Sequence, residues 1–153
     1  RSSEMINIVP STKIVGYEVI PVDDVTRFNL REVFPEEDEV IIVERVRKTD
    51  GEPMIYEIDY FFSHYDFILK SDLVNEPIMN TITSATGLIA HVFEDSFDVN
   101  LDNELIAKHL KCEVKMPLLR IEQKVLSQDG SLIYFNEQYV RQDLYKYVVR
   151  SRR

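Results

Sequence analysis

The chain has 153 residues, a formal net charge of −9 and a single cysteine, Cys112. That length suits one domain burying roughly 70% of the surface its unfolded form exposes, with no need of a metal or disulfide scaffold. One cysteine excludes an internal disulfide and suits a reducing, cytoplasmic setting. No apolar run approaches the ~20 residues of a membrane span, and a surface this acidic repels phosphate backbones, so neither a membrane nor nucleic acid is an expected partner of this segment itself.

Residues 1–12 are polar and end in Pro10-Ser11-Thr12, which reads as a lead-in to a fold spanning 13–153. Its start at Arg1 rather than methionine hints at a piece of a longer protein. Within the lead-in, Ser2-Ser3-Glu4-Met5 has the letters of an ordinary helix cap. Lys13 to Val22, rich in Ile, Val and Tyr, is a predicted strand. Asp23 or Asp24 then caps a predicted helix running to about Phe34, with Val25, Phe28 and Val33 as its buried positions. Pro35-Glu36-Glu37-Asp38 is a solvated turn.

The next stretch, Val40 to Phe61, is the clearest local signal in the chain. Two alternating β-branched runs flank Asp50-Gly51, a hairpin signature because glycine accepts the positive φ of a tight reversal. Alternation puts Val43, Arg45 and Arg47 on one side of the first arm and Ile42, Glu44 and Val46 on the other. A two-residue turn would set Arg45 opposite Tyr56. A three-residue loop, Thr49-Asp50-Gly51, would set Val43 opposite Glu57, and this is the expected register because it gathers Arg45, Arg47 and Glu57 on one surface.

After Phe62 the stretch from Ser63 to Glu76 is irregular, followed by a predicted helix from about Pro77 to Thr86, stopped at Gly87. Ile89 to Val99 reads as a strand, and Asp102 caps a helix over 103–110 with Leu105, Ile106 and Leu110 facing the core. Leu118 to Leu126 and Ile133 to Val140 form a second hairpin, and Leu144 to Val149 a last strand. A shift of 79 residues carries Asp50-Gly51 onto Asp129-Gly130, Ile55-Tyr56 onto Tyr134-Phe135 and Tyr60 onto Tyr139. The order strand, helix, turn, strand, hairpin, strand is thus expected twice, an internal duplication within one fold. The class is α+β, with a mainly antiparallel sheet of about six strands.

Chemistry-bearing motifs are scarce. His64, His91 and His109 have no ligand-like spacing with each other or with Cys112, so no metal or other cofactor is expected. Phosphate loops, nucleophile elbows and metalloprotease helices are absent, and Cys112 reads as a small apolar filler. What stands out is the group Arg45, Arg47 and Glu57. On the pattern alone it reads most simply as a ladder of solvated charges, worth a few tenths of a kcal/mol per pair. Against that, Val43 and Ile55 share its face, and the corresponding face of the second copy carries Ile121, Gln123, Val125, Tyr134 and Asn136. Apolar walls with a few polar groups suit a small ligand.

Several segments in order carry a resemblance: Lys13-Ile-Val-Gly-Tyr-Glu-Val-Ile-Pro, then Val43-Glu-Arg-Val-Arg-Lys-Thr-Asp-Gly-Glu-Pro-Met-Ile-Tyr-Glu-Ile-Asp-Tyr, then Leu118-Leu-Arg-Ile-Glu and Tyr139-Val-Arg-Gln-Asp-Leu-Tyr-Lys-Tyr. Together they resemble the UTRA domain, the effector-binding half of HutC-type GntR-family transcription regulators, and the ending is most similar to trehalose-operon-type repressors. The resemblance implies a chorismate-lyase-like fold, a homodimer, and DNA binding only through a winged helix on the N-terminal side. It implies that Arg45 and Arg47 grip the phosphate or carboxylate of a small effector such as a sugar phosphate, that Glu57 accepts its hydroxyl groups, and that Ser3 lies near an early hydroxyl that helps hold phosphate. Tyr134 and Asn136 complete the expected effector site. The chain departs from sugar-phosphate-binding relatives at Pro77, often serine there, at Tyr134, often glutamate, and at Val140, often tyrosine. The rival expectation from the same fold is an enzyme acting on a small carboxylate, and the resemblance places it second because no convincing acid/base pair is present.

Overall fold

Six strands of nine to twelve residues, rich in Val, Ile, Tyr and Phe, are the dominant secondary structure in a computed structural model. The structure describes residues 10–24, 27, 29–101, 104–144, 148 and 150–152. In chain order the elements are β1 (Pro10–Pro21), α1 (Leu30–Val33), β2 (Glu39–Thr49), β3 (Glu52–Phe62), a 3-10 turn (Asp66–Lys70), α2 (Ile78–Thr86), β4 (Val92–Asn100), α3 (Glu104–Leu110), β5 (Leu118–Leu126) and β6 (Leu132–Arg141). They form one antiparallel sheet in the order β1-β2-β3-β6-β5-β4, the α+β architecture expected.

The order is palindromic because the chain is duplicated. Each half contributes a strand, a short helix and a hairpin, and the halves join where β3 meets β6 with Ile58 opposite Glu137. Those two residues are equivalent under the 79-residue shift, so a pseudo-two-fold axis passes between them. Across it, Arg45 opposite Glu57 in one hairpin is matched by Gln123 opposite Asn136 in the other.

Each face of the sheet buries its own cluster. Ile42, Val46, Tyr56, Ile58 and Tyr60 share one face with Leu30 and Val33 of α1 and Leu110 of α3. Val43, Phe61, Val125 and Tyr134 share the other with Ile68 of the 3-10 turn and Ile78 and Ile82 of α2. The segment inserted between the two halves therefore roofs one face.

Four local expectations are corrected. The hairpin turn is the two-residue Asp50-Gly51, both at positive φ, with Thr49 opposite Glu52. An irregularity at Met54 then shifts the ladder, so Arg45 faces Glu57 and Val43 faces Asp59. The intended faces survive because a bulge restores what the shorter loop would have moved. The first helix at the described residues is only α1, four residues preceded by Asn29, whose side chain makes no capping hydrogen bond, and Asp23 instead accepts from both Arg31 Nε and Nη2. The run Asp-Asp-Val-Thr before it holds weak helix formers; Val25 and Phe28 lie outside the described residues. On α3 the buried stripe is Ala107 and Leu110, with Ile106 partly buried, while Leu105 is exposed, since it sits off that i, i+3, i+4 line. Finally, Leu144 lies in a turn after β6 and Val148 is outside any strand, so the expected last strand does not form at the described residues. Asp102 lies outside the described residues.

Candidate functional site

Between the sheet and the roof lies a cavity of about 370 Å³. Its floor is Arg45 and Arg47 of β2, Glu57 of β3, Gln123 of β5, and Tyr134, Asn136 and Gln138 of β6; its wall is the segment from Leu73 to Met79, which leads into α2. Five of the six residues singled out in the sequence, Arg45, Arg47, Glu57, Tyr134 and Asn136, thus meet in one hollow. The sixth, Ser3, lies outside the described residues. The cavity straddles the pseudo-two-fold axis, so both copies contribute to it.

Alternation explains the charged half. Arg45 and Arg47 on β2, and Glu57 and Asp59 on β3, project from one face. Arg45 is buried and its guanidinium is heavily used. Nη2 donates to Glu57 Oε2, Nε donates to Asp59 Oδ2 at 3.1 Å, and Nη1 donates to the Leu73 carbonyl oxygen at 3.4 Å, tying the roof to the floor. Arg47 differs. Its side chain is 45% exposed, against 5% for Glu57, and it touches Glu57 Oε1 at 3.4 Å. It is the cation with hydrogen-bonding capacity to spare on the cavity side.

The electrostatics are divided. Burial opposes charge on Arg45, but the carboxyl groups of Asp59 and Glu57 outweigh it and hold its pKa above the ordinary arginine range. Burial opposes charge on Glu57, but Arg45, a hydrogen bond with the Asp59 carboxyl and Arg47 together hold it below the usual carboxylate range. Asp59 is pushed well above that range by burial and by Glu57 beside it. Burial and the same carboxyl groups raise the phenol of Tyr134, which therefore stays a neutral donor. Its ring stacks on Phe61, centroids 5.5 Å apart.

The second half offers amides where the first offers charges. Gln138 Nε2 donates to Asn136 Oδ1 at 3.3 Å, Asn136 Nδ2 donates to Gln123 Oε1 at 3.0 Å, and Gln123 Nε2 donates to Asp95 Oδ1 at 2.9 Å. Asp95 can only accept when ionised, so it sets the direction of the whole chain. At the wall, α2 begins after Pro77 with no side-chain cap, and Ile78 and Met79 of its first turn line the cavity. A helix start presents backbone N–H groups that favour an anion.

Asp59, Gln138, Thr12 and the part of the wall before Pro77 were not singled out in the sequence, whereas the helix that begins at Pro77 was expected to close over the site. Asp59 was within reach, since it follows Glu57 by two residues and so shares its face. Gln138 and Thr12 were not, because they join the site only through pairing between distant strands, Glu57 with Gln138 and Arg47 with Thr12. No group of three or more His, Cys, Asp or Glu residues with metal-binding geometry occurs among the described residues, and no helix there is long and apolar enough to cross a membrane.

Comparison with known proteins places the chain in a family. The model of the UTRA domain matches residues 6–146. PhnF from Mycobacterium smegmatis superposes with a TM-score of 0.86 at 18% identity, covering 99% of this chain and 66% of that one. The effector domain of PhnF alone gives a TM-score of 0.82 at 18% identity, covering 99% and 93%. A GntR-family transcriptional regulator from Enterococcus faecalis gives 0.77 at 15% identity, covering 92% and 100%. This chain thus spans just under two thirds of the longer PhnF chain. None of the curated proteins compared with it matches.

Proposed function

Since the chain belongs to the UTRA domain family, we propose that it is the effector-sensing and dimerising part of a GntR-family transcription regulator, and that its effector is a small anionic metabolite, best a sugar phosphate. The observation that carries this reading is the cavity, where a half-exposed arginine, an uncapped helix start and a row of hydroxyl-seeking groups converge on one ligand-sized space. Arg47 and the N–H groups of α2 receive the anion. Glu57, Asn136, Gln138 and the Tyr134 phenol take the hydroxyl groups.

The reading is of a sensor, not a catalyst. Glu57, the carboxylate of the cavity floor, is held by two guanidinium groups at a lowered pKa; such a group accepts hydrogen bonds well and abstracts protons poorly. The roof supplies the coupling, because the segment that closes the cavity is the one Arg45 ties to the floor through Leu73. An effector that holds the roof down favours one dimer geometry over another, and a DNA-binding domain attached on the N-terminal side reads that difference. Support for a dimer comes from β4, an edge strand bearing exposed Val92, Phe93 and Val99.

Thermal-shift screening against sugar phosphates and small carboxylates tests the proposal. At least one anion should raise Tm in the wild type and fail to do so in Arg47→Ala. A wild type that no anion stabilises, or an Arg47→Ala response equal to it, would remove the anion site.

A further inference from the structure

Asp59 is fully buried, shares the cavity face with Glu57, accepts from Arg45 Nε at Oδ2, and lies within hydrogen-bonding reach of the Glu57 carboxyl, to which only a protonated Asp59 could donate. Its other oxygen, Oδ1, has no hydrogen-bond partner. A buried carboxylate oxygen without a donor is costly, whereas the neutral acid leaves only an uncharged hydroxyl there. Two carboxyl groups also share one guanidinium, since Arg47 reaches only Glu57.

Among the described residues Arg45 is the cation that pairs with Asp59, while Arg47 pairs with Glu57. β6 sets Asn136 opposite Asp59 and adds the Tyr134 phenol, which feels Asp59 and Glu57. β5 contributes the amide of Gln123. The wall adds the exposed acid Glu76, and α2 carries no ionisable side chain. Like charges confined to a dry site do not both ionise, and of the two Asp59 is the one pushed up.

We propose that Asp59 is the proton store of this cavity: the anion-bound state holds it as the neutral acid, so wherever alkaline solution has ionised Asp59 in the unliganded protein, an anion enters together with one proton from solvent. This rests on the anion-binding reading and adds to it a dependence on pH. With Asp59 neutral, Arg45, Arg47 and Glu57 leave one net positive charge to meet the anion. With Asp59 ionised the four groups cancel, and an incoming anion must compete with two carboxylates for the guanidinium groups. A bound anion favours the protonated form, so affinity is full below the pKa of Asp59 and falls as pH rises through it, by up to about tenfold per pH unit.

Sulfate is the suitable probe, because it keeps its charge from about pH 5 to about pH 9 while phosphate titrates within that range. Calorimetric titration of the wild type, at constant ionic strength and in buffers of different ionisation enthalpy, should show affinity falling toward alkaline pH and uptake of up to one proton. Asp59→Asn should bind sulfate with a flat pH profile and no proton exchange. Wild-type binding without pH dependence or proton uptake overturns the proposal, as does an Asp59→Asn variant that keeps the wild-type slope. A readout without ligand separates it from the broader reading: the infrared carbonyl band of a neutral carboxylic acid, present in the wild type near neutral pH and absent in Asp59→Asn. Sulfate binding without that band in the unliganded protein overturns the proton store alone. The band without sulfate binding at any pH overturns the anion site, and this proposal with it.

Discussion

Arg45 and Arg47 sit two positions apart on the same face, and their surroundings give them different work. Arg45 is enclosed by Glu57, Asp59 and the Leu73 carbonyl, so removing it strands a buried carboxylate. Arg45→Ala is expected to cost about 3–5 kcal/mol of stability, measured by urea unfolding. Arg47 is half exposed and makes one long contact, so Arg47→Ala should cost at most about 1 kcal/mol while abolishing stabilisation by anions. The two substitutions thus separate scaffold from ligand contact, a division invisible in the sequence, where both arginines carry the same label. What decides it is how close each lies to the roof, and that depends on the inserted segment folding back over the sheet.

Among the elements, the hairpins and their faces were legible from alternation and from the Asp-Gly pairs, because both rest on local backbone rules. The register was not. The loop between β2 and β3 has two residues where three were expected, and a bulge at Met54 compensates; each alone would have moved Glu57 relative to Arg45. The short α1 was equally hidden, since an acidic pair before an apolar run looks like a helix start whether or not the chain uses it. The turn itself is open to test. Gly51 has φ +77 and open space where a Cβ would stand, so Gly51→Ala carries the conformational penalty alone, about 1–2 kcal/mol, with no clash to relieve. Thermal unfolding should show that loss, and the anion response should persist, because Gly51 is outside the cavity lining.

In the whole molecule, the duplication read from two Asp-Gly pairs proves to be the plan of the sheet. The pairing of β3 with β6 follows from it, but the roof does not, since it belongs to neither copy. The opposite face of the same seam carries a second polar group, where Glu137 accepts from Tyr60, Arg120 and Tyr139 and burial pushes the Tyr139 phenol up to about 12. The assembly expected of the whole is a dimer through β4. The double substitution Phe93→Lys with Val99→Lys should shift the protein toward monomer in light scattering, with folding intact because both side chains are exposed; an unchanged dimer would exclude this strand as the interface. The seam also constrains what can bind. Two halves built to one plan have drifted apart in polarity, guanidinium and carboxyl groups to one side and a file of amides to the other, so the occupant that satisfies both must be as lopsided as its host. A molecule with its charge at one end and neutral polar groups at the other fits that demand, and a small dianion with a charged group at each end leaves one end facing partners that cannot answer it.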